Sequence, residues 1–198
     1  MPFAEDELVA TEIELPAGPL RLRRPAEWAD LPDDGGVEWA PIAPYWAVLW
    51  RSGVVLARAV EGMDLGGKRV IELGCGLGLP SLAAARAGAD VLATDEDAEA
   101  LELLELNARA AGLEVGRSRF DFTSEPPPAR FDLAIASDVL YEEASVQPLL
   151  ELLPSLADEA VICSPERKPF ARFAAEAELL WPARRGREGV IEKLRLAF

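Results

Sequence analysis

Short apolar runs alternate with segments of helical period from Lys68 to the end of the chain. Arg69 to Leu73, Asp90 to Thr94, Glu114 to Phe120, Phe131 to Ala136 and Ala160 to Ser164 read as strands. The fourth is almost continuously apolar, as a parallel strand covered on both faces should be. Helices are predicted over about 80–87, 98–111, 143–157 and 169–180. In the second of these, Leu101, Leu104, Ala108 and Ala111 recur at helical spacing. Gly88 and Gly112 stand where helices stop. Gly189 to Phe198 alternates loosely and reads as a final strand, with Trp181 to Arg184 as a short partner. This alternation argues for a doubly wound α/β fold: a mostly parallel seven-stranded sheet with an antiparallel C-terminal strand and helices on both faces.

Ahead of the sheet, Ile13 to Leu22 reads as a hairpin turning at Ala17-Gly18. Residues 25–44, rich in Pro, Asp and Gly, read as a loop or lid. Tyr45 to Gly53 opens a helix lasting to about Gly62, and carries Tyr45, Trp46 and Trp50 just upstream of the sheet. The 198 residues are expected to form one domain, with hairpin, lid and helix over 1–66 and the α/β core over 67–198.

The chemistry concentrates at residues 70–78, an apolar strand with an acid, Glu72, followed by Gly74, Gly76 and Gly78. Glycine at alternate positions permits a sharp turn and lets backbone approach a ligand closely. Pro80 suits the first turn of the helix that follows. A dinucleotide fingerprint would read G-x-G-x-x-G and a phosphate loop would end in Gly-Lys-Ser/Thr; neither is present. No Lys or Arg lies between Arg69 and Arg86, so the loop offers no cation to a phosphate. Acids end the strands instead: Glu72, Asp95 with Glu96, Asp121 and Asp138. Asp95 is placed where nucleoside-binding α/β folds hold ribose hydroxyls. Such a set suits a nucleoside ligand that carries an amino group and a sulfonium but no phosphate, which points to S-adenosylmethionine.

Composition narrows the choice further. The chain has no histidine, which removes Ser-His-Asp and Cys-His catalysis and makes a zinc site improbable, so no metal is expected. Net charge is −15, with no basic stripe before residue 166, so nucleic acid is not the expected partner. A basic protein or a cationic small molecule fits better. No apolar run reaches membrane-spanning length, and Glu5, Asp6 and Glu7 give the wrong charge for a signal peptide, so a cytoplasmic location is expected. Cys75 and Cys163 read as small buried hydrophobes.

Four segments together resemble the class I S-adenosylmethionine-dependent methyltransferases of Rossmann-like fold. More narrowly they resemble the seven-β-strand lysine methyltransferase group, methyltransferase family 16. They are P-Y-W-A-V-L-W-R-S-G at 44–53, E-L-G-C-G-L-G at 72–78, R-F-D-F at 119–122 and S-D-V-L-Y at 137–141. The resemblance implies that Trp50 packs near the cofactor and that Glu72, Gly74, Gly76 and Gly78 hold its methionine part. It implies Asp95, with the adjoining Glu96, at the ribose, Asp121 and Phe122 at the adenine, and Ser137 near the methionine end. Asp138 and Tyr141 would form the D-x-x-Y element that meets the acceptor amine. Two departures from the resemblance stand out: Arg51 stands where some relatives have proline or a small residue, and the tail after Ser164 is short. The expected activity is N-methylation of a protein lysine. A small-molecule N-methyltransferase of nicotinamide or amine type, and a cofactor-binding protein without turnover, are the alternatives.

Overall fold

The structure is a computed structural model and describes residues 7–26 and 44–198. The lid expected over 25–44 therefore lies, apart from its ends, outside the described residues. Strands β1 (Leu8–Ile13) and β2 (Leu20–Pro25) pair as an antiparallel hairpin. A 3-10 turn at Tyr45–Ala47 leads to helix α1 (Arg51–Glu61). Then follow β3 (Arg69–Leu73), α2 (Leu79–Arg86), β4 (Asp90–Asp95), α3 (Ala98–Ala110), β5 (Gly116–Arg119) and β6 (Phe131–Ser137). A 3-10 turn at Glu143–Ser145 precedes α4 (Val146–Leu156), β7 (Ala157–Pro165), α5 (Lys168–Leu180), β8 (Ala183–Glu188) and β9 (Ile191–Ala197).

The main sheet runs β5-β4-β3-β6-β7-β9-β8. β5 to β7 are mutually parallel, and β9 runs antiparallel to both β7 and β8. Alternation along the central strands explains the two cores. Val70, Leu133, Ile135, Val161 and Cys163 face the layer of α1, α2 and α3. Ile71, Leu73, Ala134, Ala136, Ala160 and Ile162 face α4 and α5, where Phe170 and Phe173 are buried. Because both faces are covered, these strands lack the polar alternation of a half-exposed sheet. The hairpin closes the first core with Ile13, Leu20 and Leu22, and Asn107 on α3 both donates to and accepts from the Arg23 backbone.

Several boundaries differ from the sequence expectation. The hairpin is longer, reaching from Leu8 to Pro25. α1 begins only at Arg51, because Val48 and Trp50 are extended and the Trp50 carbonyl accepts from Gly53 and Val54 to start the helix. β5 is confined to four residues, since β4 is its one partner in the sheet order. β7 begins at Ala157 with no loop after α4, because Ala157 is already extended and pairs with Phe131. β8 lies at 183–188 rather than 181–184, paired along its whole length with β9. It is an arginine-rich edge strand with almost no apolar signal. Among the described residues no helix is long and apolar enough to cross a membrane.

Candidate functional site

Chain order reverses between β3 and β6, and α/β folds bind ligands outside the strand ends at such a point. A cleft of about 690 Å³ opens there. Its floor is the loop 74–78; its walls are the segments that leave β4, β5 and β6. Gly74, Gly76 and Gly78 all have positive φ. At Gly76 a Cβ would meet the Trp46 carbonyl at 2.9 Å, and at Gly78 it would meet Leu104 Cδ1 at 2.1 Å. The loop is thus wedged between the aromatic segment and α3, which leaves its outer edge to the cleft.

Asp95 clamps this loop. Gly76 N–H donates to Oδ2 at 2.9 Å and Asp97 N–H donates to Oδ1 at 3.0 Å. Burial raises the Asp95 pKa, and the amides of Asp97 and Gly76 oppose that rise. Glu72 sits differently from its expected place. It is fully buried and absent from the cleft lining. Ser81 N–H donates to its Oε2 at 2.9 Å and the Ser81 hydroxyl donates to the same oxygen. Burial pushes its carboxyl up to about 8, against the Ser81 hydrogen bonds. Glu72 therefore braces the first turn of α2 from beneath the loop.

Glu96, Asp121, Phe122 and Ser137 line the cleft. Asp121 accepts from Thr123 N–H at 2.8 Å, Thr123 Oγ1 at 2.6 Å and Ser124 Oγ at 2.7 Å, and these bonds hold its carboxyl below the usual range. At the mouth, Trp50 and Tyr141 flank Tyr45, with ring centroids 6.5 and 6.1 Å away. Trp50 Nε1–H donates to the Tyr45 carbonyl at 2.9 Å, which fixes that turn. Tyr141 is half open to solvent, yet burial and the carboxylates of Glu96, Glu142 and Asp95 raise its pKa, so the phenol stays protonated. Asp138 follows β6 with φ 56, a left-handed conformation that a non-glycine residue seldom adopts. Its N–H donates to the Cys163 carbonyl at 2.9 Å, and its carboxylate accepts two bonds from Arg167.

Two residues of this site carried no role in the sequence reading. Arg119 lines the cleft and donates to the Glu96 carbonyl at 2.9 Å; it is the one cation among the described lining residues. Arg167 stands behind Asp138 at the start of α5. It is the second residue after β7, following Glu166, and caps the start of α5. Cys75 and Cys163 are both unbridged and buried. Among the described residues no group of acids and thiols could hold a metal.

A family model described as lysine methyltransferase matches residues 45–172, about two thirds of the chain. The chain belongs to the lysine methyltransferase family. The match spans the aromatic turn, the glycine loop, Asp95, Asp138 and Arg167, so every described residue lining the cleft except Pro44 falls within the matched region. Two relatives illustrate the range. The protein N-lysine methyltransferase METTL21A of Danio rerio is 37% identical over 131 residues, covering 60% of this chain and 59% of its own. The electron transfer flavoprotein beta subunit lysine methyltransferase of Rattus norvegicus is 33% identical over 108 residues, covering 53% and 42%. The chain thus aligns with less than two thirds of the length of either relative. The 16S rRNA N2 G1207 methyltransferase RsmC of T. thermophilus, solved with AdoMet and guanosine, superimposes with a TM-score of 0.70. That match covers 96% of this chain and 50% of the other at 16% identity, a likeness of fold.

Proposed function

We propose that this lysine methyltransferase family member is an S-adenosylmethionine-dependent N-methyltransferase acting on a lysine side chain of a protein. The observation that carries this reading is the cleft itself. A glycine loop with no room for Cβ atoms and a rim of acids meet an aromatic mouth at the topological switch point. The residues fit the cofactor: the loop 74–78 suits its methionine part, Asp95 and Glu96 its ribose, and Asp121 and Phe122 its adenine. Trp50 and Ser137 complete the wall. When bound, the cofactor supplies a methyl group already activated on a sulfonium.

The chain's own task is to align an amine and keep water out. Such positioning is worth about 7–11 kcal/mol in favourable cases. A free lysine has a pKa of about 10.4 and arrives protonated. The Tyr45, Trp50 and Tyr141 rings give a partly dry entrance that favours its neutral form. Asp138 positions that amine, and Tyr141 shapes the channel or accepts a hydrogen bond. The net charge of −15 supports a basic protein segment over a nucleic acid. Two buried, unbridged thiols fit a reducing, cytoplasmic setting.

The test is incubation with methyl-labelled S-adenosylmethionine and lysate from cells that lack the gene. Label in a protein band, recovered as methyl-lysine after hydrolysis, is the expected result. Label confined to the small-molecule fraction would replace the protein acceptor with a small amine. No transfer at all would leave a cofactor-binding protein without turnover.

A further inference from the structure

Asp138 is 8% exposed, and its side chain is more deeply buried than that figure suggests. A carboxylate in such a place normally needs a partner, and here the partner is built with care. Arg167 Nε–H donates to Oδ1 at 2.9 Å and Nη2–H to Oδ2 at 3.2 Å, the parallel fork that only a guanidinium offers. Arg167 is itself held at both ends of its peptide unit. Its N–H donates to the Pro165 carbonyl at 2.7 Å, and its carbonyl accepts from Ala171 N–H at 2.9 Å in the first turn of α5. Asp138, in turn, is anchored through its N–H to Cys163 on β7. Two strand ends, those of β6 and β7, are thereby locked to each other at the acceptor side of the cleft.

We propose that Arg167 is a positioning residue for methyl transfer: it fixes the Asp138 carboxylate in its left-handed turn and balances its charge, so that the acceptor amine meets an oriented acceptor rather than a bare anion. The proposal rests on the function proposed above. An ionised carboxylate has about four lone-pair sites. The fork occupies two and leaves the others for an incoming amine. An unbalanced carboxylate would draw a lysine in but hold it as the ammonium, which has no lone pair to attack with. The guanidinium removes that penalty while keeping the oxygen lone pairs in place. The carboxylates of Glu96, Glu142 and Asp95 bear on the neighbouring Tyr141; at Asp138 burial raises the carboxyl pKa, and the forked Arg167 is the charged group that opposes that rise. Arg167 is thus the group whose removal changes the balance at the amine.

The experiment compares the wild type with Arg167→Gln and Arg167→Lys. Binding of S-adenosylhomocysteine by calorimetry, melting temperature, carbon-detected titration of the Asp138 carboxyl (assigned with Asp138→Asn), and label transfer into lysate protein from pH 7 to 10 are all measured. For Arg167→Gln the expected result is cofactor-product affinity within twofold of wild type and an Asp138 titration moved up by about one pH unit or more. Transfer should be about tenfold slower at pH 7, with the gap narrowing toward pH 10 as the amine deprotonates unaided. Arg167→Lys keeps the charge without the fork and should fall between. An unmoved Asp138 titration overturns the proposal. So does a rate loss of the same factor at every pH, accompanied by lost affinity or a lowered melting temperature, which is a structural role. If even the wild type labels no protein, the proposed function fails, and the titration still decides whether Arg167 governs that carboxyl.

Discussion

Glu72→Gln separates the brace beneath the glycine loop from the binding surface above it. Glu72 is fully buried, and its carboxyl is pushed from the ordinary value up to about 8, chiefly by burial. An acid whose folded pKa lies above its unfolded one stabilises the fold only while protonated. That contribution is complete below about 4.5 and is lost as pH climbs toward about 8. Each pH unit inside this window is worth about 1.4 kcal/mol. By pH 7 the wild type should therefore have lost on the order of 3 kcal/mol that a glutamine at the same place cannot lose. Glutamine keeps an oxygen for the Ser81 N–H and hydroxyl. Its amide adds a buried donor without a visible partner, as Oε1 already lacks one, and that penalty of about 1–3 kcal/mol does not vary with pH. Urea unfolding of both proteins at half-unit steps from pH 4.5 to 8.5 isolates the pH-dependent part, because every other titrating group is common to both. The two stability curves should diverge in favour of the variant as pH rises. Parallel curves would show that Glu72 titrates alike in both states, and the account of it as a neutral brace would be lost.

Three further outcomes follow from the packing. Gly78→Ala places a Cβ 2.1 Å from Leu104 Cδ1 at φ 76, and should destabilise by about 2–4 kcal/mol in urea unfolding; a loss under 1 kcal/mol would mean that the loop yields freely. Asp95→Ala removes the acceptor of the Gly76 and Asp97 amides, and S-adenosylhomocysteine affinity should fall by about 1.5–3 kcal/mol in calorimetry. Unchanged affinity would take Asp95 out of the site. Phe173→Ala empties a fully buried place between α5 and the sheet, with an expected loss of about 3–5 kcal/mol and no change in cofactor-product affinity per folded molecule.

The central strands were legible because burial on both faces writes near-continuous apolar runs, and Phe131–Ser137 and Arg69–Leu73 appear close to where they were expected. The same physics hid the edge. β8 gains its place by pairing with β9, and Ala183–Glu188 carries charge where a core strand carries Val or Ile. The start of β7 was masked in a similar way, since a leucine-rich helix runs into it without a loop and only the pairing of Ala157 and Glu159 with β6 marks the change. At the site, glycine spacing and strand-end acids marked the positions around the cleft. What each acid bonds to could not be read, because the Ser81, Arg167 and Thr123 partners are set by tertiary approach or by a local turn rather than by a motif.

Those partners change the meaning of the acid pattern. The carboxylates that close β3, β4 and β6 look alike in sequence, yet each is relieved of its charge by a different device. Glu72 holds a proton under the loop, Asp95 accepts backbone amides from both sides, and Asp138 is forked by a guanidinium. A buried anion left bare would cost several kcal/mol, so three in one small region must each be compensated. The field offered to an incoming cation therefore comes mainly from the acids nearer solvent, Glu96, Asp97, Asp121 and Glu142, which line the cleft beside the one arginine among its described lining residues. The inner acids hold geometry and the outer ones set the field. Substitutions at the rim should then change encounter rate and salt dependence, whereas substitutions at Glu72 or Asp138 should change stability, orientation and the pH at which the chain works.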